Sequence, residues 1–423
     1  MKVFKFGGAS INSTERFINT GNIIESFKDE KILIVVSAMG KTTNALESVV
    51  QTFFSGDKSQ ALQEFDSLKN DHLEVLNQLC QSNKNVSENP LSDFFTEIEW
   101  LLNDKPVRNF DYYYDQVVCC GELLSSSILY QYLRTKNLRC SWVDVRDIIR
   151  TDNNFRDASI DWDFTSKRIH ESIVPFFENN DIVVTQGFIG ATDENESTTL
   201  GREGSDFSAA IFANLMNAEN VTIWKDVDAV MSADPKKYPE AAIISELSYT
   251  EVIEMAYYGA QVIHPKTIKP LQNKNIPLLV KSFINKDLKG TVISKNTNQK
   301  LPPIIVDKNN QVLMKFKSKD FSFIEDKPIH QLHEIFNQIK IKPNLSQHTA
   351  ISLLCCFDNL TDKIEKLAFA AANLFDVEIE KDLTLVTIRH YDERVIEKLS
   401  NGKSILVEQK TQNTIQMVCS VNR

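Results

Sequence analysis

A lysine and two glycines stand together near the start of the chain, in Lys5-Phe6-Gly7-Gly8. Glycine lets the backbone approach a phosphate closely, so that main-chain N–H groups can face the anion. A neighbouring lysine supplies a cation for the charge on a phosphoryl group in transfer. The pattern is neither a Walker loop nor the G-x-G-x-x-G fingerprint, and an ordinary strand-to-helix turn explains it about as well. Phosphate binding is therefore one of two hypotheses for this segment.

A second segment, Gly201 to Asp206, carries an arginine between glycines just before a predicted helix. Arg202 offers a planar fork of donors that suits a carboxylate. Ser205 or Asp206 can cap the helix that follows. A surface loop can have this composition, but turn chemistry does not require the arginine. The segment therefore predicts a loop that binds an anion.

Other charged residues lie at strand ends and turns, where a purely structural role is the simpler explanation. Lys225 and Asp226 follow a strand, while Lys236 and Lys266 follow prolines. Glu122 begins a predicted helix after the strand-like run Val117 to Cys120. A carboxylate in a first helical turn complements the helix dipole, and it would also suit an ammonium group. No histidine has a partner at metal-ligand spacing, so we expect no histidine metal centre.

Strands that alternate with helices must position these residues, which predicts an open, mostly parallel α/β sheet. Ligands of such sheets bind beyond the carboxyl ends of the strands. A capping box, Ser248 with Glu251, supports the last predicted helix. The predicted strands are Lys2–Phe6, Lys31–Ser37, Asp181–Phe188, Val221–Trp224 and Ile276–Ser282, and the predicted helices are Glu122–Leu133, Asp206–Leu215 and Tyr249–Tyr258.

The polar, proline-ended stretch Lys295 to Pro303 predicts a linker. Beyond it, a strand–helix–strand–strand unit occurs twice, which predicts two small sheets. The predicted strands are Val312–Phe316, Asp320–Ile324, Thr349–Phe357, Leu383–Arg389, Ile405–Gln409 and Thr414–Val421, and the predicted helices are Pro328–Ile339, Asp362–Leu374 and Glu393–Leu399.

Bulk composition narrows the class of protein. The chain has 423 residues, of which 42% are hydrophobic and 25% charged, and this length favours two or three domains. A net charge of −10 argues against binding to nucleic-acid phosphates. The apolar runs are far shorter than the roughly 20 residues that span a bilayer, so no membrane association is expected. No signal peptide is visible and no C-x-x-C spacing occurs, which predicts a reducing, cytoplasmic location.

Taken together and in this order, several segments resemble the aspartate kinase family, a branch of the amino-acid kinase fold. They are KFGGAS from Lys5, VVSAMGKTTNAL from Val35, GELLSS from Gly121, TQGFIGA from Thr185, TLGREGSD from Thr199, IWKDVDAVMSADP from Ile223 and YYGAQVIHPKTI from Tyr257. The resemblance implies a three-layer catalytic domain over residues 1–295. The tail, 304–423, more loosely resembles paired, ferredoxin-like ACT regulatory domains. A monofunctional enzyme is expected, because no dinucleotide fingerprint for a homoserine dehydrogenase is present.

The resemblance implies ATP-dependent phosphorylation of the side-chain carboxylate of L-aspartate, the first step towards lysine, threonine and methionine, with Mg²⁺ carried by ATP. That carboxylate is already ionised at pH 7, so no general base is needed. The implied roles are catalysis for Lys5, oriented by Asp206; ATP binding for Lys5, Gly7, Gly8, Lys225, Asp226, Lys236 and Lys266; and substrate binding for Ser37, Thr43, Glu122, Arg202, Gly204 and Ser205. Within the last group, Arg202 would hold the α-carboxylate and Glu122 the ammonium.

Four positions depart from the family's commonest pattern. Glu203 replaces a glycine, Lys225 a threonine, Met231 a tyrosine that often flanks the nucleotide, and Gln261 a lysine near the ATP phosphates. Lys225, Lys236 or Lys266 could supply the missing cation. Two other functions stay open. One is another amino-acid kinase, such as one for acetylglutamate, whose substrate lacks a free ammonium. The other is a catalytically silent amino-acid sensor built on the ACT pair. ACT domains usually pair side by side, so we expect a homodimer or larger assembly, with lysine or threonine as effector.

Overall fold

A computed structural model describes residues 1–80, 90–297, 300–320, 323 and 326–421. The chain divides into two compact units. The first comprises Met1–Val230, Ser245–Ile253 and Val262–Thr297, and the second comprises Met231–Ile244, Glu254–Gln261 and Asn298–Arg423. Within the described residues, no helix combines the length and the apolar character needed to cross a membrane.

An eight-stranded sheet with the order β3-β4-β2-β1-β7-β9-β10-β8 forms the centre of the first unit. Its neighbours pair in parallel from β3 to β9, and β10 runs antiparallel to β9. This confirms the predicted mostly parallel α/β sheet and its five predicted strands. The strands are β1 Lys2–Phe6, β2 Ile32–Val36, β3 Cys140–Trp142, β4 Ile182–Gln186, β7 Asn220–Lys225, β8 Glu246–Ser248, β9 Leu278–Ser282 and β10 Thr291–Ser294, while β5 Ile189–Ala191 and β6 Ser197–Thr199 form a separate hairpin.

The central strands are apolar throughout, as burial on both faces of a parallel sheet requires; every residue of β2 and β4 is buried. Helices supply the covering apolar side chains, including Phe17, Phe53 and Phe65. The three predicted helices are confirmed. The helices of this part of the chain are α1 Thr14–Glu25, α2 Thr42–Phe54, α3 Lys58–Cys80, α4 Ser92–Asn103, α5 Phe110–Val118, α6 Cys120–Thr135, α7 Trp162–Arg168, α8 Phe176–Asn179, α9 Gly204–Leu215, α10 Tyr249–Tyr258 and α11 Pro265–Lys274.

The predicted strand at Val117 to Cys120 is wrong, because α5 runs through Val118 and α6 begins at Cys120. Asn109 caps α5 by accepting a hydrogen bond from the N–H of Tyr112 at 2.9 Å. Tyr113 and Val117, four residues apart, are both buried in the core. Helical periodicity and tertiary burial thus outweigh the strand propensity of the valines.

The second unit contains a six-stranded antiparallel sheet with the order β12-β13-β11-β14-β16-β15. Helices α12 and α13 contact each other and contribute Leu332, Phe336 and Ile364 to its core. The elements are β11 Ile304–Ser318, α12 Asp326–Ile339, β12 Leu345–His348, β13 Ser352–Asp358, α13 Thr361–Ala371, β14 Phe375–Arg389, α14 Glu393–Ser400, β15 Lys403–Lys410 and β16 Thr414–Val421. The predicted repeat of strand, helix, strand and strand is therefore present.

The expectation of two small sheets is wrong. Strands β11 and β14 are each 15 residues long and pair from Ile304 with Arg389 to Ser318 with Phe375. Because these two strands run through both repeats, their ladder joins all six strands into one sheet. The strand predicted at Asp320 to Ile324 falls largely outside the described residues.

Candidate active site

Parallel pairing brings the predicted residues to one edge of the eight-stranded sheet. Phe6, the last residue of β1, pairs with Val36 on one side and Trp224 on the other. The residues that follow on the three strands therefore emerge at the same level. The glycine loop after β1 thus lies between the segments that begin at Ser37 and Lys225, as expected beyond the carboxyl ends of the strands.

Gly8 sits where two loops touch. A Cβ atom at this position would lie 2.8 Å from the carbonyl oxygen of Ala38 and 2.9 Å from that of Gly40. The backbone N–H of Gly40 donates to the Gly8 carbonyl at 3.1 Å. Only glycine permits this approach, which fixes the loop after β1 against the loop after β2. A short 3₁₀ turn, Gly8–Ile11, follows before α1.

Lys5 and Asp206 form an ion pair, with Lys5 Nζ 2.7 Å from Asp206 Oδ1. The side chains are only 12% and 4% exposed, so solvent screens the pair weakly. Burial acts to raise the pKa of Asp206, but Lys5 and Lys225 outweigh it and hold that pKa below its usual value. Asp206 is therefore a carboxylate in direct contact with the Lys5 ammonium. Its role in orienting Lys5 for catalysis stays a prediction.

Glu122 is a buried acid, and only one of its two carboxyl oxygens has a hydrogen-bond partner among the described residues. Its Oε1 accepts a hydrogen bond from the N–H of Ala38 at 3.1 Å. Its Oε2 is shielded from solvent and has no hydrogen-bond partner among the described residues. Burial raises the pKa of Glu122 from 4.5 to about 8, against the opposing effects of the Ala38 hydrogen bond and the Lys5 charge. A cation bound at Oε2 would restore the carboxylate form.

Arg202 lies on a loop with two left-handed residues, Gly201 at φ +74° and Glu203 at φ +54°. Glu203, where glycine is the commoner choice, is held by a hydrogen bond from the N–H of His264 to its Oε2 at 3.0 Å. No ion pair or hydrogen bond to the Arg202 side chain is found among the described residues. The guanidinium is therefore available to a ligand carboxylate.

These groups converge on one cavity of about 520 Å³. Ten of the predicted site residues line it. They are Lys5, Gly8, Ser37, Thr43, Glu122, Arg202, Gly204, Ser205, Asp206 and Lys225, and the other lining residues are Ala38, Gly40, Tyr114, Arg156, Phe188, Thr199, Gly201 and Glu203.

Four predicted site residues do not line the cavity. Gly7 lies beside it, since a Cβ there would be 3.3 Å from Lys5 Nζ. Asp226 is exposed just after β7, and Lys236 belongs to the second unit. Lys266 donates instead to Asp157 Oδ1 and to the carbonyl of Leu200, both at 3.0 Å. Lys225 does line the cavity, and its Nζ donates to the carbonyl of Val262 at 2.6 Å.

Tyr114 and Arg156 were not predicted from the sequence. The Arg156 guanidinium lies 4.2 Å from the centre of the Tyr114 ring, and both side chains line the cavity. Arg156 also forms ion pairs with Asp111 at 3.3 Å and with Glu47 at 3.7 Å. The helical spacing of Phe110, Tyr113, Tyr114 and Val117 would have placed Tyr114 on a helix, but nothing local marks Arg156.

Within the described residues, no three His, Cys, Asp or Glu side chains are grouped as a metal cage. The cavity offers the carboxylates of Asp206, Glu122 and Glu203. Mg²⁺ is often held by one or two carboxylates together with substrate phosphates. The donor set therefore fits an ion that arrives with a nucleotide, and Asp206 is the carboxylate nearest to the Lys5 ammonium.

Comparison with known proteins places these observations in a family. The model of the amino acid kinase family matches residues 1–282. The chain is 36% identical over 298 residues to a chloroplastic bifunctional aspartokinase/homoserine dehydrogenase 2 of Arabidopsis thaliana, covering 69% of this chain and 32% of the relative. It thus spans about a third of the length of that relative. It is 28% identical over 402 residues to lysine-sensitive aspartokinase 3 of Escherichia coli, covering 91% and 86% of the two chains.

Solved structures agree with the fold. E. coli aspartokinase III in complex with aspartate and ADP (R-state) superimposes with a TM-score of 0.81 at 25% identity, covering 99% of this chain and 96% of that one. Clostridium acetobutylicum aspartate kinase has a TM-score of 0.80 at 20% identity, covering 99% and 96%, and supports the fold alone. With a family model that matches two thirds of its length and a sheet edge built as described, this chain belongs to the amino acid kinase family.

Proposed function

We propose that this protein is an aspartate kinase, which transfers the γ-phosphoryl group of ATP to the side-chain carboxylate of L-aspartate and forms 4-phospho-L-aspartate. One observation carries the proposal. A single cavity combines Lys5 with an unoccupied guanidinium, that of Arg202, and with the unpartnered buried oxygen of Glu122. These are the partners that a phosphate, a carboxylate and an ammonium require. The E. coli structure with aspartate and ADP supports the same assignment.

The reaction needs alignment and charge neutralisation more than proton transfer. An oxygen of the substrate carboxylate attacks the γ-phosphorus, the bond from that phosphorus to the β,γ-bridging oxygen breaks, and ADP leaves. Both reactants are anions, so the cations of the cavity lower their repulsion and stabilise the charge that spreads over the phosphoryl oxygens. Lys5 and Lys225 line the cavity at the ends of neighbouring strands β1 and β7. Arg202 and Glu122 would fix the substrate backbone and turn its side chain towards Lys5.

On the nucleotide side we assign Lys5, Gly7, Gly8 and Lys225 to the ATP phosphates. Bound Mg²⁺ would supply further charge neutralisation, with Asp206 as the candidate ligand from the protein. The proposed nucleotide roles of Asp226 and Lys236 stay predictions, because both side chains are exposed and neither has a contact that points to a phosphate. The observed partners of Lys266, Asp157 and the Leu200 carbonyl, support a structural role instead. A cytoplasmic location is proposed as well.

The two competing functions do not account for buried polar groups of the cavity. An acetylated substrate has no ammonium and would leave a buried, unpartnered carboxyl oxygen without purpose, which is unfavourable. A silent sensor would not need to retain the buried Lys5–Asp206 pair. The test is a coupled assay of ADP formation with ATP, Mg²⁺ and either aspartate, glutamate or acetylglutamate. Turnover with aspartate alone supports the proposal, whereas preference for acetylglutamate or absence of turnover with every acceptor overturns it.

We expect Arg202→Lys to raise the KM for aspartate about tenfold or more while the KM for ATP changes little. A point charge cannot reproduce the two parallel hydrogen bonds that a guanidinium gives a carboxylate. Steady-state kinetics with each substrate varied in turn measures both constants. Arg108→Lys, a surface change at a residue that pairs with Glu196, is the matched control. An increase in the KM for ATP would move Arg202 to the nucleotide side.

The second expectation concerns the cation missing at Gln261. Lys225 Nζ donates a hydrogen bond to the carbonyl of Val262, the residue that follows Gln261. We therefore propose that Lys225 supplies the positive charge that a lysine at position 261 would provide. Lys225→Thr should then lower kcat by about two orders of magnitude, the lower end of the usual loss for one electrostatic donor. The double change Lys225→Thr with Gln261→Lys should recover at least part of it. Gln261→Lys alone should be neutral or harmful, and an increase in kcat would contradict this relocation.

We also propose a domain organisation in which residues 1–295 form the catalytic domain and residues 304–423 form paired ACT-like regulatory domains. The similarity to a relative named for its sensitivity to lysine supports lysine as effector, with threonine as the alternative. Exposed apolar side chains on the second unit, such as Phe369 at 84%, are consistent with a homodimer or larger assembly. Sedimentation of the full chain with and without each amino acid, alongside its activity, tests both parts. A monomer contradicts the assembly, and an unchanged rate contradicts the effector.

A further inference from the structure

Asp115 in α5 is a fully buried carboxylate that binds two separate parts of the cavity wall. Its Oδ2 accepts hydrogen bonds from the backbone N–H of Thr199 at 2.8 Å and of Arg156 at 3.0 Å. Its Oδ1 accepts from the Thr199 hydroxyl at 2.7 Å. Burial raises the pKa of Asp115 to about 6, with these hydrogen bonds opposing the rise. At pH 7 it is thus an acceptor for three donors.

Thr199 and Arg156 belong to two segments that line the cavity. Thr199–Gly204, the Arg202 loop, carries the free guanidinium. Asn154–Asp157, the Arg156 turn, carries the second guanidinium of the cavity. The N–H of Ala158 donates to the carbonyl of Thr199 at 3.0 Å. The two segments therefore lie side by side, and Asp115 joins them from the core.

Lys266 joins the same two segments from the other side. Its ammonium donates to Asp157 Oδ1, at the end of the Arg156 turn, and to the Leu200 carbonyl in the Arg202 loop, both at 3.0 Å. Gly201 must be glycine for this contact, because a Cβ there would lie 2.6 Å from Asp157 Oδ1 and its φ is +74°. Lys266 lies in the first turn of α11, whose position in the fold is fixed by packing against α9.

The backbone of Arg156 is left-handed, which indicates that its surroundings hold the Arg156 turn in a strained conformation. Its φ of +70° is a conformation that glycine usually provides. Strained residues persist when their surroundings determine them strongly, and they concentrate at ligand sites. The hydrogen bond from the Arg156 N–H to Asp115 and the stacking of the guanidinium over Tyr114 hold Arg156 in this conformation.

We propose that Asp115 and Lys266 are positioning residues that hold the Arg202 loop against the Arg156 turn, and thereby set the affinity of the cavity for the carboxylates of its substrate. This inference rests on the proposed function. Neither residue lines the cavity, so each acts through the placement of the two arginines. Bidentate recognition of a carboxylate depends on the position of the guanidinium, and small displacements weaken it. The phosphate side, built on β1 and β7, does not depend on this contact.

The sharper test is Lys266→Met, which keeps most of the length of the side chain and removes its ammonium. Lys274→Met is the matched control. Lys274 lies on the same helix, and its ammonium also donates to one carbonyl, Asn214 O, and one side-chain oxygen, Asn217 Oδ1, each at 2.7 Å. Isothermal titration of the full chain gives the Kd for L-aspartate in the presence of ADP, and separately the Kd for ADP. We expect Lys266→Met to raise the aspartate Kd three- to tenfold, the ADP Kd to stay within twofold, and Lys274→Met to change neither.

Asp115→Asn should act in the same direction and more strongly, by tenfold or more, because an amide group offers one acceptor oxygen to three donors. If this variant does not fold, the Lys266→Met result decides. Equal shifts in both Kd values, or an unchanged aspartate Kd in Lys266→Met, overturn the positioning role while leaving aspartate kinase activity intact. If the unmodified protein binds ADP but not aspartate, the proposed function is wrong and this inference falls with it.

Discussion

We expect Lys5→Ala to lower kcat by two to three orders of magnitude while the KM for aspartate changes little. Lys5 lies at the end of β1, lines the cavity and is held by Asp206 at 2.7 Å. An oriented cation in a weakly screened site stabilises the charge of the transition state by several kcal/mol, about 3 to 4 for one donor. Single-turnover measurement of the phosphoryl-transfer step, with ATP and aspartate both saturating, gives the loss directly.

The same change should also destabilise the protein. Removing Lys5 leaves the buried Asp206 carboxylate without its ion-pair partner, which costs about 3 kcal/mol when a buried pair is broken. Lys5→Met with Asp206→Asn removes both charges and should recover most of the lost Tm. It should not recover kcat, because the cation is still absent. This double variant separates catalysis from stability.

Lys2→Ala is the matched control for the strand. Lys2 lies at the other end of β1 and forms an ion pair with Glu30. Its loss should leave kcat within a factor of about two, since surface ion pairs contribute 0–1 kcal/mol. Near-normal kcat in Lys5→Ala, or recovery of activity in the double variant, would remove Lys5 from the proposed catalytic role.

The sequence predicted much of the site because the relevant residues follow short apolar strands. Lys5, Ser37 and Lys225 each lie at or just beyond a strand end, and parallel pairing brings such ends to one edge. A glycine such as Gly8, whose backbone contacts a neighbouring loop closely, can be identified as a candidate from the sequence alone. Local pattern therefore identified where the loops would meet.

Residues that reach the site through long-range contacts could not be predicted in this way. Asp115 joins Arg156 and Thr199 across 41 and 84 positions of the chain, and no local periodicity encodes such a pairing. Lys266 was assigned to the nucleotide because of its charge, whereas its partners depend on how α11 packs against α9. The residue type of Lys266 predicted that it would bind an anion or another acceptor. Tertiary packing determined which acceptors it contacts.

The single sheet of the second unit illustrates the same limit. The segments predicted at Val312–Phe316 and Leu383–Arg389 lie within β11 and β14, which are much longer. Charged and polar residues, such as Lys308 and Glu378, interrupt the apolar pattern in the rest of both strands. Strand pairing extends through them because backbone hydrogen bonds do not depend on side-chain polarity. The ladder is interrupted only locally, at register shifts near Gln311, and pairing continues on both sides of them.

The pH dependence of aspartate binding should report the ionisation of Glu122. Only its carboxylate form can pair with the substrate ammonium, and burial raises its pKa to about 8. The KM for aspartate should therefore increase as the pH falls below 8, by about a factor of ten between pH 7 and pH 6. In Glu122→Gln the KM should be high and nearly independent of pH over this range. The KM for ATP, measured in the same buffers, is the internal control.

Glu122 also gives a prediction for how the free energy of unfolding depends on pH. The dependence is opposite to that of an acid whose pKa is lowered by folding. Because the folded pKa of about 8 lies above the ordinary value of 4.5, folding takes up a proton between these pH values, and the free energy of unfolding falls as the pH rises. Relative to the unmodified protein, Glu122→Gln should gain up to about 3 kcal/mol between pH 5 and pH 8. Urea denaturation at the two pH values measures this gain. The control is Glu25→Gln at the end of α1, where Glu25 is half-exposed and pairs with Lys136. A constant difference between the two proteins at both pH values would mean that Glu122 is ionised in the free enzyme, and a KM for aspartate that does not vary with pH would remove it from ammonium binding.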